Sequence, residues 1–378
     1  MMTSSIPAHP AEDDSFILAQ QVGRVGLITL NRPRALNALS LEMVRSLTRT
    51  LLDWKSNAQI LAVAVRGMSK DAPFGAFCAG GDIRFFHQAA LAGDPRLEDF
   101  FTEEYALNHL IHTYPKPYIA FMDGIVMGGG MGISQGASLR VVTQRTRMAM
   151  PETGIGLFPD VGGGFFLSRC PGRVGEWLAL TGQAIEAGDA VAFGLADGCM
   201  DAGRLNALWA DLQSTPFETG NAVEHMVTTK FTTTQAAHKS ARNQIDAVFS
   251  LGDVPSMVKA LELDASEFAQ RTAAVLRQRS PLMLHVVLEQ IRRARRMSLA
   301  DDLRMERDMV RHCFHPRHLG RSGAGSETVE GIRALAVDKD HTPRWQPAAI
   351  EEVDSSMVEH FFISPWPASA HPLAHLSC

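Results

Sequence analysis

No stretch of the 378 residues approaches the length and apolarity needed to cross a bilayer, and the N-terminal segment has no apolar signal core. Met1 to Phe16 contains Glu12, Asp13 and Asp14 but no lysine or arginine, so the Arg-rich character of a transit peptide is missing too. These absences predict a cytoplasmic protein without membrane association. A basic excess is also lacking: 36 Lys and Arg face 41 Asp and Glu, for a formal net charge of −5. A polyphosphate track such as DNA requires a strongly basic face, so nucleic acid is excluded as a partner. One small anionic ligand held by a few local cations remains compatible. Cysteine is sparse. Cys78, Cys170, Cys199, Cys313 and Cys378 are scattered, odd in number and free of CxxC spacing, which excludes a disulfide frame or a cysteine zinc site. His87, His109 and His112 show no HxxxH or HExxH spacing, so no metal is expected.

What the chain does have is apolar residues, 46% of the total, enough for a substantial core. Residues 1–15 read as a disordered leader. Val22 to Leu30 suits a first strand pair. Ser40 sits where an N-cap belongs, and Leu41, Val44, Leu47, Leu51 and Leu52 follow at helical spacing to about Trp54. Ile60–Val65, Tyr118–Met122 and Leu139–Thr143 are short continuous apolar runs, the pattern of strands covered on both faces. Strands alternating with helices predict an α/β core over 16–200 with a mostly parallel inner sheet. Segments 204–213, 254–276, 281–297 and 299–314 read as helices, giving a helical C-terminal region over 201–365 packed on that core. Residues 316–328 read as a loop and 366–378 as a tail.

Three glycine-centred clusters carry the chemistry: Phe77-Cys78-Ala79-Gly80-Gly81-Asp82, Gly124-Ile125-Val126-Met127-Gly128-Gly129-Gly130-Met131-Gly132, and Met150-Pro151-Glu152 through Gly164. Glycine lets a backbone approach a ligand and turn its N–H groups toward developing negative charge. Two such groups on separate loops can form an oxyanion hole, worth about 3–4 kcal/mol per donor. Any one cluster alone reads as readily as a tight turn.

Taken in order, the clusters resemble the crotonase (enoyl-CoA hydratase/isomerase) superfamily from about Val25 to Ala196. The resemblance implies a crotonase-like ββα spiral core, α/β in class, with a small acyl-CoA as partner. It implies that the amides of Gly81 and Gly129 polarise the thioester carbonyl, flanked by Ala79, Gly80, Asp82 and Gly128. Arg34, Ala35 and Leu36, in the segment Arg34-Ala35-Leu36-Asn37-Ala38-Leu39, resemble the early loop beside the CoA adenine and phosphates. Hydratases of the family carry two glutamates; here the first position is Gly132 and the second Glu152. Hydration across a double bond needs paired groups, so this loss argues against it. Asp160 stands instead eight residues after Glu152. That pattern, with Glu330-Gly331-Ile332-Arg333-Ala334, Val337-Asp338-Lys339-Asp340, Pro343-Arg344-Trp345-Gln346-Pro347, Ser280-Pro281 and Met305-Glu306, resembles the 3-hydroxyisobutyryl-CoA hydrolase branch.

The branch implies hydrolysis of a short 3-hydroxyacyl-CoA with Glu152 as reacting carboxylate and Asp160 as its partner. Whether Glu152 attacks or activates water is left open. No cofactor is implied, since coenzyme A is part of the substrate. Hydration or isomerisation by a single base, and non-catalytic acyl-CoA binding, are the competing readings. Whether the chain forms a homo-oligomer is open. Gly132-Ile133-Ser134-Gln135-Gly136 matches a nucleophile elbow in spacing alone; Ser134 is expected inside a helix, and Cys78 as buried filler.

Overall fold

The computed structural model describes residues 15–377, so of the expected leader only Ser15 falls within it. Nine strands lie among these residues: β1 Ile17–Val22, β2 Val25–Leu30, β3 Ala62–Gly67, β4 Ala76–Cys78, β5 Tyr118–Met122, β6 Ile125–Met127, β7 Leu139–Thr143, β8 Arg147–Ala149 and β9 Gly198–Met200. The long strands form one sheet in the order β1-β2-β3-β5-β7-β9, and the short ones a second sheet, β4-β6-β8. The hairpin β1–β2, turning at Gly23, is antiparallel, and every other pairing of two of these strands is parallel. A long strand, a short strand and a helix therefore recur along the chain, the ββα spiral.

The apolar runs have a physical reason. All six residues of β2 and all five of β5 are buried, because side chains pack on both faces of the large sheet. On one face Val25, Leu27, Ile119 and Val141 meet Leu205, Leu208, Trp209 and Val223. On the other, Ile28, Val63, Val65 and Ala120 join a larger core that continues through the C-terminal helices. The Ser40 side chain accepts from the Met43 N–H (3.3 Å) and starts helix α1, Leu41–Ser56. Helices α2 (Ile83–Ala92), α3 (Arg96–His112), α4 (Gly129–Gln135) and α5 (Gly163–Leu167) follow the glycine clusters or bracket them.

Among the described residues no strand follows β9. The helix expected over 254–276 is two, Val254–Leu263 and Glu267–Gln278, because Ser266 caps a new start by accepting from Ala269. The loop expected over 316–328 contains short 3-10 turns, and the helix Glu327–Ile332 begins inside it. Toward the end of the chain Leu373 and Leu376 are buried, and the Ser377 carbonyl lies 2.8 Å from His109 Nε2.

Helix Glu327–Ile332 packs directly on the turn that carries Glu152. The Thr328 hydroxyl donates to the Gly156 carbonyl (2.7 Å), and a Cβ at Gly331 would stand 2.4 Å from the Ile155 carbonyl carbon. Gly331→Ala is therefore expected to lose about 1–3 kcal/mol by overpacking. Urea unfolding measures this, and a variant as stable as the wild type would show that the backbones can separate at no cost.

Candidate active site

The first two glycine clusters meet edge to edge. A Cβ built at Gly80 would lie 3.4 Å from the Met127 carbonyl and 3.8 Å from the Gly129 nitrogen. Leu39 pairs with Gly81 by accepting from the Asp82 N–H and donating to the Gly80 carbonyl, which leaves the Gly81 N–H outside the bridge. Gly129 is the first residue of α4, where an N–H has no intrahelical acceptor. Its neighbour Gly128 has φ +47°, a conformation that favours glycine. The loops that carry the Gly81 and Gly129 N–H groups thus adjoin at one spot.

Carboxyl groups surround that spot. Glu152 leads a 3-10 turn, Glu152–Ile155, immediately after β8, and is 6% exposed. Its Oε1 lies 2.8 Å from where a Gly128 Cβ would be, and its Oε2 is buried with no partner among the described residues. Burial, and then the nearby charge of Asp160, pushes its carboxyl well above the usual range. Asp160 is equally buried; its Oδ2 accepts from the Tyr105 hydroxyl at 2.9 Å. Burial pushes Asp160 up to about 7, against the opposing pull of that hydrogen bond.

A third acid was not legible in the sequence. Glu104, on α3, is 2% exposed, and its unpartnered Oε1 lies 2.6 Å from the Cβ position of Gly129. Burial, Asp160 and Glu152, in that order, push its carboxyl far up. Glu104, Glu152 and Asp160 thus form a buried acidic group that ionises collectively. The signal that could have found Glu104 is its place one turn before Asn108 on a helix whose surroundings bury it, a fact of packing.

The Asp160 turn is held from the C-terminal half. Glu306 accepts from the Gly162 and Gly164 N–H groups (2.7 and 3.0 Å), and Gln290 donates to the Pro159 carbonyl at 2.7 Å. Val161 is thereby fixed at φ +57°, an outlier for a β-branched residue. Its side chain occupies the space beside Gly132: a Cβ there would lie 2.6 Å from Val161 Cβ and 2.9 Å from Asn108 Nδ2.

The early loop presents its two arginines differently. Arg34 is exposed in the turn Pro33–Ala35, and Leu36 follows in the left-handed region, 42% exposed. Arg32 is the residue directed inward, 2.7 Å from Asp82. Asp82 is otherwise spent as the N-cap of α2, and the Ala79 N–H is taken by the Leu36 carbonyl. Arg32 and Asp82 line a cavity of about 440 Å³ with Arg45, Arg49, Arg96 and Phe85. Ser134 lies within α4, its hydroxyl donating to the Gly130 carbonyl (2.8 Å), and the Cys78 thiol, fully buried, is pushed up to about 12. Neither is placed as a nucleophile.

Comparison with known proteins finds relatives along most of the chain. A family model described as enoyl-CoA hydratase/isomerase matches residues 25–362. The mitochondrial 3-hydroxyisobutyryl-CoA hydrolases of Danio rerio and Gallus gallus are 38% and 37% identical. They align with 93% and 92% of this chain and with 90% and 88% of their own lengths. A solved carnitinyl-CoA dehydratase from Mycobacterium thermoresistibile is 35% identical, with a TM-score of 0.85, covering 94% of this chain and 98% of its own. The relatives' mitochondrial names overturn the cytoplasmic placement expected above. That expectation rested on the composition of residues 1–16, and a short address segment leaves no imprint on the fold that follows. With its spiral of paired strands, its two adjoining amide loops and a family match along most of its length, the chain belongs to the enoyl-CoA hydratase/isomerase family.

Proposed function

We propose that the protein hydrolyses 3-hydroxyisobutyryl-CoA to 3-hydroxyisobutyrate and CoA, a step of valine breakdown. The supporting relatives bear that name over about nine tenths of both chains. The observation that carries the reading is at Gly132. A hydratase needs a second carboxylate there, and Val161 and Asn108 already fill the space it would enter. The family's dehydratase chemistry, suggested by the Mycobacterium structure, is disfavoured by the same packing.

In this reading the thioester oxygen sits between the Gly81 and Gly129 amides, which stabilise it as the carbonyl becomes tetrahedral. Glu152 either attacks the carbonyl carbon, giving an anhydride that water then opens, or takes a proton from the attacking water. In both routes a C–O bond forms, the C–S bond breaks, and the CoA thiolate leaves and is protonated. Asp160, oriented by Tyr105, raises the proton affinity of Glu152 by its charge, as burial already does. Glu104 offers its free oxygen to the substrate hydroxyl. Arg32, Arg45, Arg49 and Arg96 give the neighbouring cavity a charge suited to CoA phosphates.

Glu152→Gln is expected to abolish thiol release from 3-hydroxyisobutyryl-CoA, by about a thousandfold or more, with ester binding retained. A colorimetric thiol assay with a binding titration reads both, and wild-type turnover by the variant would sink the assignment. Gly132→Glu should not create hydration of crotonyl-CoA and should lower stability, because the new side chain meets Val161. Loss of enoyl absorbance by that variant would count against the steric argument. Because Asp160 binds its proton more tightly folded than unfolded, it weakens the fold as pH rises from about 4 toward 7. Asp160→Asn should therefore raise the melting temperature more at pH 8 than at pH 5, and an equal shift at both would place its titration elsewhere.

A further inference from the structure

We propose that His312, His318 and His360 form a binding site for one divalent transition-metal ion of the zinc class, outside the active site. The three imidazoles come from separate elements: the helix Leu299–Phe314, the turn Arg317–Leu319 and the turn His360–Phe362. One ring nitrogen from each lies within 4.8 Å of the others. Ring centres are 5.3 Å apart for His312 and His318, 5.0 Å for His312 and His360, and 4.4 Å for His318 and His360. A metal at 2.0–2.1 Å from three tetrahedrally placed nitrogens sets ring centres about 5.2 Å apart, so the cluster already has nearly that spacing.

Two further features point to a ligand. The Nε2 of His312 is 2.8 Å from the Ile363 carbonyl. Donation to a carbonyl is how ligating histidines are oriented, and it leaves Nδ1 as the free acceptor. Both ring nitrogens of His318 are shielded from solvent and lack any partner among the described residues. An imidazole so placed bears the cost of two unmet hydrogen-bonding groups, which a coordinated ion would remove at one of them. Asp308 contributes negative charge near His312, while Arg321 faces His318 and lies 3.6 Å from Glu327.

The rings of His318 and His360 lie nearly parallel, 10° apart, so one must rotate to aim at a shared point. His360 is only half-buried, and among the described residues no hydrogen bond fixes its ring, so it is the one that turns. A bound ion would tie the segment 354–363 to the helix that carries Glu306. The fourth position is open to water, as in a three-histidine site.

The test is titration of the untagged protein with Co(II), followed by displacement with Zn(II). One equivalent should bind with the visible absorption of a low-coordinate site, and Zn(II) should abolish the bands. His360→Ala and His318→Gln should each weaken binding more than about tenfold, since even groups outside the ligand sphere are worth that much. Thioester hydrolysis by His360→Ala at the wild-type rate shows that the variant is folded. Absence of one-equivalent binding, or affinity unchanged in both variants, overturns the site.

Discussion

Three carboxyl groups buried together, with no cation paired to any of them among the described residues, constrain everything around them. Taking a single carboxylate out of water is expensive, and like charges nearby compound the cost. Helix α3 shows the alternative within one element. Glu98, near its start, is held down to about 2 by Arg307, Arg311 and His315 despite its burial. Glu104, less than two turns on, is driven the opposite way by burial and then by Asp160 and Glu152. The first is a structural ion pair. The second belongs to a group kept proton-hungry, which suits proton transfer near neutral pH.

Such a group persists only if its surroundings cannot relax, and the fold supplies that rigidity with backbone. The amide loops are fixed by β4, β6 and the pairing of Leu39 with Gly81. The acid-bearing turns are fixed by side chains from distant helices. Glu306 is itself a buried acid, yet two N–H groups and Gln290 satisfy its oxygens. Asp302 likewise accepts from the Phe165 N–H at 2.7 Å. Both oxygens of Glu306 are met by amides, whereas Glu104 and Glu152 each keep a buried oxygen without a partner among the described residues.

Sequence reading recovered what is local and failed where packing decides. β5 and β7 appear at the residues expected, because a strand covered on both faces leaves a continuous apolar run. β4, β6 and β8, three residues each, are too short to leave any pattern. Glu152, Asp160, Gly81 and Gly129 were visible because their motifs are contiguous, and the structure brings all four to one place. Glu104 was invisible because α3 also carries Glu98, Asp99 and Glu103, and acids on a helix usually face water. Arg34 was singled out from its motif, and Arg32, which pairs with Asp82, was not considered. Arg32 is held by the Ala38 carbonyl and by Asp82, fifty residues on, and spacing does not reveal that pairing.

The debt of the active site to the end of the chain has a consequence for how the protein is made. The turn bearing Glu152 is backed by Thr328 and Gly331, and the turn bearing Asp160 by Gln290 and Glu306. A ribosome delivers the amide loops and both acids long before it delivers those supports, and N-terminal segments fold first. A nascent or prematurely ended chain would therefore hold every reacting residue and still lack a working centre. Competence arrives only once the segment 290–331 has packed behind both turns.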